Sequence, residues 1–454
     1  MAGGTWTSQN KVLPGVYINT QSREAVNISI GDRGVVAIAK ALSWGADGVQ
    51  EILPGADLSP FIGYDITNAN ALFLREMMKG SDVTSGPSKI LLYRLPGTGG
   101  AQATATVGDM IVTALYNGVR GNDISIVVTA DPDNEGSFDV NTVVDGYIVD
   151  SQTVTDISGL VANAWVTFSG SGTPTTTTGA ALEGGTDPTI TNTDYANFLT
   201  AIEPYTFDIL AYDGSESTVI TAFIQFITRV NESIGKKCQL VLSGAAGVAN
   251  SKYVIAALNG VKLSDGTMIS AQNAVWWLAG VEAGALYNQS LTYAQYPGAV
   301  EANPKLTEAQ ASAAVSGGMI CFVDDFDIVK VCTDINTKTT ETPREGAEFK
   351  KNRVMRVIMQ FCNDTYEHFS LYFIGKVDNN DNGRNLLRKW CVGYLNEMQA
   401  NNGIQNFTAE DITVQQGNNV DSVIVNVAIQ PVDAIEKIYM TVTVSANAVV
   451  VETE

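Results

Sequence analysis

The stretch FDILAYDGSESTVITAFIQFITRVNESIGKKCQLVLSG, residues 207–244, places a long helical pattern between two short apolar runs. The apolar runs have the length of buried strands, and the pattern between them repeats apolar residues at helical spacing until Gly235. A strand–helix–strand order predicts a βαβ unit in a parallel sheet that is covered on both faces. The stretch therefore predicts an α/β core, and similar patterns predict further helices over residues 250–260 and 271–287.

Composition restricts the class of protein. The chain has 454 residues, 45% of them hydrophobic, which is enough for a packed core in several domains. Its net charge of −21 argues against nucleic-acid binding and against adhesion to an anionic membrane. The first 20 residues lack the apolar core of a signal peptide, and the most apolar stretch is too short to span a bilayer. We therefore expect synthesis in a cytosol and no membrane insertion.

An acidic segment interrupts the α/β pattern. Residues 101–228 contain one basic residue, Arg120, and sixteen acidic ones. Short β-prone runs separated by turn-forming residues predict an all-β module inserted into the α/β domain. The Thr- and Gly-rich tract 169–188 is expected to be a long loop or linker.

The last third of the chain has a different pattern. Residues 345–373 and 383–403 predict two long amphipathic helices. Residues 411–432 predict a hairpin that turns at residues 417–419, and residues 437–454 alternate as a strand does. This region is expected to be an α+β domain followed by a terminal strand.

Residues 378–383, DNNDNG, match the first half of an EF-hand calcium loop. The twelfth position of such a loop must be a bidentate Glu, but here it is Lys389. The turn instead predicts an N-cap for a helix that begins near Arg384, with Asp381 or Asn382 accepting backbone hydrogen bonds. We therefore expect no metal site here.

Catalytic motifs are also lacking. The only histidine, His368, lies in or just after a helix, where a packed or surface role is expected. No serine has glycine at both −2 and +2, and the sequence contains neither a zinc motif nor a phosphate-binding glycine loop. The five cysteines form no CxxC pair and are expected to be free, mostly buried thiols. The sequence therefore predicts no catalytic residue and no cofactor.

One acidic cluster leaves two interpretations open. Asp324, Asp325 and Asp327 lie between two apolar runs. A solvated hairpin turn accounts for them, and an acid/base pair or magnesium ligand is the alternative.

Basic residues concentrate in the C-terminal third. Residues 330–400 contain 11 basic and 9 acidic residues, whereas the rest of the chain is strongly acidic. Arg384 and Arg388 are four residues apart and share a helix face. These helices are either ordinary solvated helices or an electropositive face that docks on an acidic partner. The two basic clusters are Lys350, Lys351, Arg353 and Arg356 on the first helix, and Arg384, Arg388 and Lys389 on the second.

Both ends of the chain are β-prone. LPGVYIN, residues 13–19, has no obvious adjacent hairpin partner, and residues 437–452 form a long terminal strand pattern. A strand with unpaired backbone groups is a template for another chain. The ends are therefore predicted to be arms that add strands to neighbouring subunits, or else to tuck into their own sheet.

Several of these segments together resemble a known family. KKNRVMRVIMQ (350–360), residues 373–407, and VIVNVAIQPVDAIEKIYMTVTV (423–444) resemble the tail sheath proteins of contractile bacteriophages and phage-tail-like bacteriocins. The start of the chain and ALYNGVRGNDISIVV (114–128) are similar to the arm and the β-sandwich insertion of that family. The resemblance covers essentially the whole chain and is weakest over residues 169–188.

The resemblance implies a subunit of stacked hexameric rings around an inner tube, with baseplate and tail-terminator proteins as further partners. It implies a central domain similar in fold to subtilisin, without peptidase activity. The divisions expected are an N-terminal arm at 1–22, α/β residues 23–98, an acidic β-sandwich at 99–188, the α/β domain at 189–342, a C-terminal α+β domain at 343–438, and an arm at 439–454.

The resemblance also implies where the protein assembles and which of its residues contact other subunits and the tube. The resemblance implies assembly in the bacterial cytoplasm and release on lysis as part of a tail or tail-like particle. A hydrolase on an α/β fold and an adhesin-like surface module remain alternatives. The implied inter-subunit strands contain Val16, Tyr17 and Ile18, and Tyr439, Met440, Thr441, Val442, Thr443 and Val444; the inferred tube contacts are Arg384, Arg388 and Lys389.

Overall fold

The structure is a computed structural model. It describes residues 30–244 and 249–444, and it also describes the backbone of residues 2–4 and 15–17. The helices are α1 Ser59–Ile62, α2 Leu72–Met78, α3 Asn192–Ile202, α4 Ser217–Arg229, α5 Ala271–Gly284, α6 Glu308–Ser316, α7 Asn352–Tyr372 and α8 Asp381–Ala400. The first twelve strands are β1 Ala2–Gly4, β2 Gly15–Tyr17, β3 Val35–Lys40, β4 Gly48–Ile52, β5 Lys89–Arg94, β6 Gln102–Val107, β7 Met110–Asn117, β8 Ile124–Ala130, β9 Phe138–Val144, β10 Tyr147–Val154, β11 Val166–Ser169 and β12 Thr177–Ala181. The others are β13 Ile209–Ala211, β14 Gln239–Ser243, β15 Val254–Ala257, β16 Gly260–Leu263, β17 Met268–Ile269, β18 Ala299–Asn303, β19 Phe322–Asp325, β20 Ile328–Val331, β21 Ile404–Gln405, β22 Ile412–Gln416, β23 Val423–Val427 and β24 Gln430–Pro431.

A six-stranded sheet in the order β15-β14-β13-β3-β5-β4 forms the central domain. The first five strands are parallel and β4 joins the edge antiparallel. The predicted βαβ unit is confirmed: β13 pairs with β14 in parallel, with Ile209 opposite Gln239, and α4 connects them. Alternate strand residues face two apolar clusters, so the sheet is buried on both sides.

Helix α5 covers one face of the central sheet. Residues 274–283 are apolar around the whole helix apart from Glu282, and all of them are buried. A helix that is apolar all round must lie inside the protein rather than on its surface. Trp277 is fully buried and its indole N–H donates to the Gly80 carbonyl oxygen at 2.7 Å, which ties α5 to the end of α2.

The helix predicted over residues 250–260 is wrong. This segment contains β15, which lies at the edge of the sheet parallel to β14, with Leu240 opposite Val254. The run Val-Ile-Ala-Ala is completely buried. Periodicity does not separate a short buried strand from a helix, and the available sheet edge decides between them.

The first part of the acidic segment, residues 102–181, folds as two antiparallel sheets, one with strands β10-β9-β8-β12 and one with β11-β7-β6. Their facing side chains form a separate apolar core that includes Val112, Ile126 and Val140. The module follows β5 and precedes α3, so the predicted insertion of an all-β sandwich into an α/β domain is confirmed.

The prediction that residues 169–188 form a long loop or linker is wrong. This tract contains β12, in which Ala180 lies opposite Ile126 of β8. Isolated bridges from Glu183 to Thr104 and from Thr186 to Ala101 then carry the chain along the sandwich. Threonine is tolerated well in strands, so a neighbouring strand edge orders a tract that local composition alone marks as a loop.

Arg120 joins the sandwich to the central domain. Its side chain is 2% exposed, and its Nε donates to the Gly63 carbonyl oxygen at 2.8 Å. Its terminal nitrogens donate to Asp145 at 2.6 and 2.8 Å and to Asp123 at 3.0 Å. The guanidinium also lies 4.2 Å from the centre of the Tyr64 ring. The single basic residue of the acidic segment therefore stabilises the junction between the sandwich and the central domain.

We expect Asp145→Asn to lower the free energy of unfolding at pH 7 by about 1 kcal/mol or less, because Asp145 is half exposed and solvent screens the pair. The Arg120 hydrogen bond holds the pKa of Asp145 below its usual value. That stabilisation is therefore present above the unfolded pKa and is lost as pH falls through the folded pKa. Thermal unfolding from pH 7 to pH 3 should show the difference shrinking, and Glu135→Gln, an exposed carboxylate of the same module, should show none. A pH-independent difference would contradict the assignment.

The acidic cluster at residues 324–327 is the solvated hairpin turn. Strands β19 and β20 pair with Asp325 opposite Ile328, and Phe326 and Asp327 form the turn with φ of 50° and 61°. Two positive φ values are typical of the tight turns that match strand twist. Within the described ranges, no helix is both long and apolar enough to cross a membrane.

Candidate assembly surface

Aromatic stacking holds the two long C-terminal helices together. The rings of His368 on α7 and Trp390 on α8 stack with centroids 4.2 Å apart and planes 11° apart. Trp390 also stacks on Tyr394 at 5.2 Å, and Phe369 meets Trp390 edge-on. Burial lowers the pKa of His368, which favours the neutral ring. The predicted helix pair and the packing role of His368 are confirmed.

The polar turn between the helices is an N-cap, as predicted, but the acceptor differs. Asn380 Oδ1 accepts the Gly383 N–H at 2.9 Å, at the start of α8. The prediction that Asp381 or Asn382 would accept is wrong: Asp381 is in the first turn and accepts from Arg384 at 2.5 Å. In the part of the chain that the structure describes, no group of three or more His, Cys, Asp or Glu residues is placed to hold a metal ion.

We expect Asn380→Ala to lower the free energy of unfolding by about 1 kcal/mol, because one amide at the start of α8 loses its acceptor. Asn382→Ala is the matched control, since Asn382 is exposed and two residues away from the cap. Denaturant unfolding monitored by far-UV circular dichroism measures both. Equal losses in the two variants would contradict the cap assignment.

The structure separates the three residues predicted to touch the tube. Arg384 donates to Asn379 Oδ1 at 2.9 Å, and Arg388 Nε donates to the Ile412 carbonyl oxygen at 3.0 Å. Both arginines are half-buried and brace the loop and strand next to them, whereas Lys389 is exposed. Of the three, Lys389 presents its charge most openly to solvent.

The other basic cluster does not form the electropositive face that the sequence suggested. Arg356 is fully buried, Lys350 donates to the Val315 carbonyl oxygen at 2.6 Å, and Lys351 forms an ion pair with Glu436. These groups turn inward because carboxylates and carbonyls of the central domain and of the last segment face them. The cluster joins domains instead of facing a partner.

Arg356 is the centre of a buried ion cluster. Its Nη1 donates to Glu282 Oε2 at 2.6 Å, and its Nη2 donates to Asp334 Oδ2 at 2.5 Å. Asn352 Nδ2 bridges the two carboxylates at 3.1 and 2.8 Å. The side chains of Arg356, Glu282 and Asp334 are all 0% exposed. Sequence reasoning missed this cluster, although a lone Glu282 inside an apolar helix was a signal that it needed a partner.

The pKa values of the two carboxylates in that cluster shift in opposite directions. Burial raises the pKa of Glu282 well above its usual value, and the neighbouring Asp334 charge adds to this. Burial alone would also raise the pKa of Asp334, but the charge and hydrogen bonds of Arg356 outweigh it and lower that pKa. The cluster is therefore one Arg–Asp ion pair with a Glu that favours its protonated form. It locks α7 of the C-terminal domain to α5 of the central domain.

The last segment of the chain is fixed at one point and exposed beyond it. Glu436 accepts from Thr292 Oγ1 at 2.7 Å and pairs with Lys351, and Asp433 lies 3.8 Å from Lys351. Residues 439–444 then belong to no strand. The exposed fractions there are 91% for Tyr439, 78% for Met440, 76% for Val442 and 93% for Val444. The terminal strand predicted from residue 437 is therefore not formed over residues 439–444, and sequence reasoning missed Glu436 as the residue that fixes this segment.

At the other end, β1 and β2 form a short parallel ladder. Val16 lies opposite Gly3 and Tyr17 lies opposite Gly4. The sequence showed no obvious hairpin partner for this strand, and the partner that the structure gives it, β1, is a parallel strand and not a hairpin strand. Ile18, like residues 445–454, lies outside the described residues. In the described part of the chain, this sheet has two strands, so β2 has a neighbour on one edge.

Family models divide the chain in the same order as the fold. The phage tail sheath β-sandwich domain matches residues 98–187, the phage tail sheath central domain matches 189–337, and the phage tail sheath C-terminal domain matches 344–445. The crystal structure of a sheath tail protein from Desulfitobacterium hafniense is 41% identical. It covers 94% of this chain and 99% of its own, with a TM-score of 0.84. The chain belongs to the phage tail sheath protein family.

Two further proteins are similar to this chain over nearly its whole length. This phage tail sheath protein is 34% identical over 476 residues to the phage-like element PBSX protein XkdK of Bacillus subtilis, covering 98% of this chain and 100% of the relative. The cryo-EM structure of an extracellular contractile injection system, a PVC sheath complex in the contracted state, is 12% identical. It covers 97% of this sheath protein and 99% of its own chain, with a TM-score of 0.55, which shows a shared fold.

Proposed function

We propose that this chain is the structural subunit of a contractile sheath, which polymerises as stacked hexameric rings around an inner tube. Shortening of the polymer then drives the tube through the envelope of a target cell. The observation that carries the proposal is the C-terminal arm, which is anchored at Glu436 and exposed from Tyr439 to Val444. An apolar, alternating segment with unsatisfied backbone groups gains both hydrogen bonds and burial when another subunit provides a strand edge.

In the proposed polymer, the N- and C-terminal arms, residues 1–22 and 439–454, add strands to neighbouring subunits. Val16, Tyr17 and Ile18 belong to one donated strand, and Tyr439, Met440, Thr441, Val442, Thr443 and Val444 belong to the other. The backbone hydrogen bonds of the shared sheet persist while the rigid domains swing about the arms. The extended state is metastable, and a barrier holds it until a trigger acts at the baseplate.

We further propose that α8 faces the inner tube. The contacts assigned are Arg384, Arg388 and Lys389, of which the exposed Lys389 is the direct charge contact and the two arginines hold the neighbouring loop and strand. Weak polar contacts suit a surface that must slide during contraction, because an exposed charge pair contributes about 0–1 kcal/mol.

Lys389→Glu is expected to weaken co-assembly with the tube while self-association of the sheath persists, because only the tube-facing charge is reversed. Co-sedimentation with polymerised tube at increasing salt measures the effect, which should be largest at low ionic strength. Lys305→Glu is the matched control, since Lys305 is 62% exposed and belongs to the central domain. Equal losses for both variants would contradict the assignment.

The proposed role is structural and needs no catalytic residue or cofactor. We propose that the central domain is similar in fold to subtilisin, supported by its helices on both faces of a mostly parallel sheet. The only histidine of the sequence is packed against Trp390 in the C-terminal domain, which does not support a hydrolase site in the central domain.

The proposed partners are further copies of this chain, an inner tube protein, and baseplate and tail-terminator proteins. The relatives named as sheath tail proteins and as a phage-like element protein support a tail or tail-like particle. We propose assembly in the bacterial cytoplasm and release on lysis.

Negative-stain microscopy of the purified protein, alone and with its tube protein, tests the proposed function. We expect striated tubes of stacked rings whose order and length increase when tube is present. A protein that stays monomeric at high concentration, with and without tube, would contradict it.

A further inference from the structure

Two cysteines face each other on the hairpin that precedes the buried ion cluster. Strands β19 and β20 place Phe322 opposite Val331, so the next pair outward is Cys321 and Cys332. The Cys332 amide donates to the Cys321 carbonyl oxygen at 2.8 Å, which makes them a directly opposed pair of the ladder. Opposed residues of such a pair have Cα atoms about 5.5 Å apart, which lies within the Cα spacing of disulfides.

The side chains of the pair also lie on the same face of the hairpin. Phe322 and Val331 share the buried face of the hairpin, so Cys321 and Cys332 both point to the other face. The interaction between the two thiols lowers the pKa of Cys332 to about 6 and raises that of Cys321. Cys332 is half-buried and open to a small reagent, whereas Cys321 is buried behind it. One sulfur is thus placed as an attacking thiolate and the other as the group that resolves it.

The other three thiols lack this arrangement. Burial raises the pKa of Cys238 and of Cys362, and it raises the pKa of Cys391 to about 11. Cys238 and Cys391 are almost fully buried, while Cys362 is half-buried on α7 and therefore resembles Cys332 in access. Cys362 is the natural internal control, because it differs from Cys332 in having no facing thiol to share its proton.

We propose that Cys321 and Cys332 are an oxidisable dithiol, which a small-molecule disulfide such as glutathione disulfide converts into an intrachain cross-strand disulfide. The Cys332 thiolate attacks one sulfur of glutathione disulfide and releases one glutathione thiolate. Cys321 then loses its proton and attacks Cys332 Sγ, which releases the second. Two protein thiols and one glutathione disulfide thus give one protein disulfide and two glutathione molecules.

The position of the pair connects it to the assembly surface. Cys332 is two residues before Asp334 of the buried ion cluster, and the charge of Glu436, which fixes the last segment of the chain, acts to raise the pKa of the Cys332 thiol. A disulfide here joins the open ends of β19 and β20, directly before the segment that carries Asp334. A glutathione-buffered cytosol keeps such a pair reduced, and an oxidising medium closes it.

Peptide mapping tests the proposal directly on the full chain. Trypsin cleaves after Lys330, between the two cysteines, so Cys321 lies in peptide 306–330 and Cys332 in peptide 331–338. The protein is treated with glutathione disulfide, its remaining thiols are alkylated, and the digest is analysed by mass spectrometry. We expect the two peptides to appear joined, with two of the five thiols protected and the link lost after dithiothreitol.

Variants separate the roles of the two sulfurs. Cys321→Ser should trap glutathione on Cys332, and Cys332→Ser should leave Cys321 unmodified over the same time. Cys362→Ser should still form the joined peptides at the wild-type rate. The proposal is overturned if the wild-type protein yields no joined peptides, or if glutathione accumulates on Cys362 as fast as Cys321 and Cys332 are lost.

Discussion

Arg356→Ala is expected to destabilise the chain by about 3–5 kcal/mol, because it leaves the buried carboxylate of Asp334 without its cation. Glu282 and Asp334 are both 0% exposed, so water cannot replace the guanidinium without opening the joint between α5 and α7. Chemical denaturation followed by tryptophan fluorescence measures the loss.

The cost of Arg356→Ala should depend on pH, because the protonation of Asp334 changes with it. In the native protein Arg356 lowers the pKa of Asp334, so the ion pair stabilises the fold above the unfolded pKa and less as pH falls through the folded pKa. In Arg356→Ala the uncompensated carboxylate is relieved by protonation. The difference between the two proteins should therefore shrink toward pH 4.

Arg229→Ala is the matched control. Arg229 also pairs with a glutamate, Glu203, but their side chains are 48% and 37% exposed. An exposed pair of this kind contributes about 0–1 kcal/mol. If Arg356→Ala cost no more than Arg229→Ala, the buried cluster would not be the joint between the domains.

Removing residues 439–454 is expected to abolish polymerisation while the subunit stays folded. Among the described residues of this segment, Tyr439 and Val444 are more than 90% exposed and Met440 and Val442 more than 75%, so their loss removes little packing from the subunit, and the free energy of unfolding should change by less than about 0.5 kcal/mol. Sedimentation shows the loss of polymer, and thermal unfolding of the same sample shows the retained fold.

Point variants distinguish strand pairing from simple loss of apolar surface. Thr441→Pro combined with Val442→Pro removes two backbone donors from the arm, whereas Val442→Thr keeps them and keeps β propensity. The proline variant should fail to polymerise and the threonine variant should polymerise nearly as wild type. A truncated chain that still forms long polymers would contradict the role of the arm.

Local patterns predicted much of this fold, because local forces decide those parts. The helix at 217–229 and the strands beside it follow from apolar spacing over a few residues, and α5 follows from its continuous apolar run. The cap at the start of α8 is also local, so the sequence located the turn and missed the accepting residue by one position.

The missed features depend on distant partners. Arg356 was read as part of a basic helix face, but its acceptors Asp334 and Glu282 are 22 and 74 residues away in sequence. The tract containing β12 and the run forming β15 became strands because an edge formed elsewhere was free to receive them. The charge and composition of a short stretch of sequence do not show which distant residues or strand edges it will contact.

A cryo-EM reconstruction of the assembled polymer at a resolution that traces backbone tests the central claim most directly. We predict that residues 439–444 of each subunit lie as a strand in a sheet of a neighbouring subunit, next to the neighbour's N-terminal segment containing Val16 and Tyr17. A polymer in which both ends of every chain pair only within their own subunit would contradict the account.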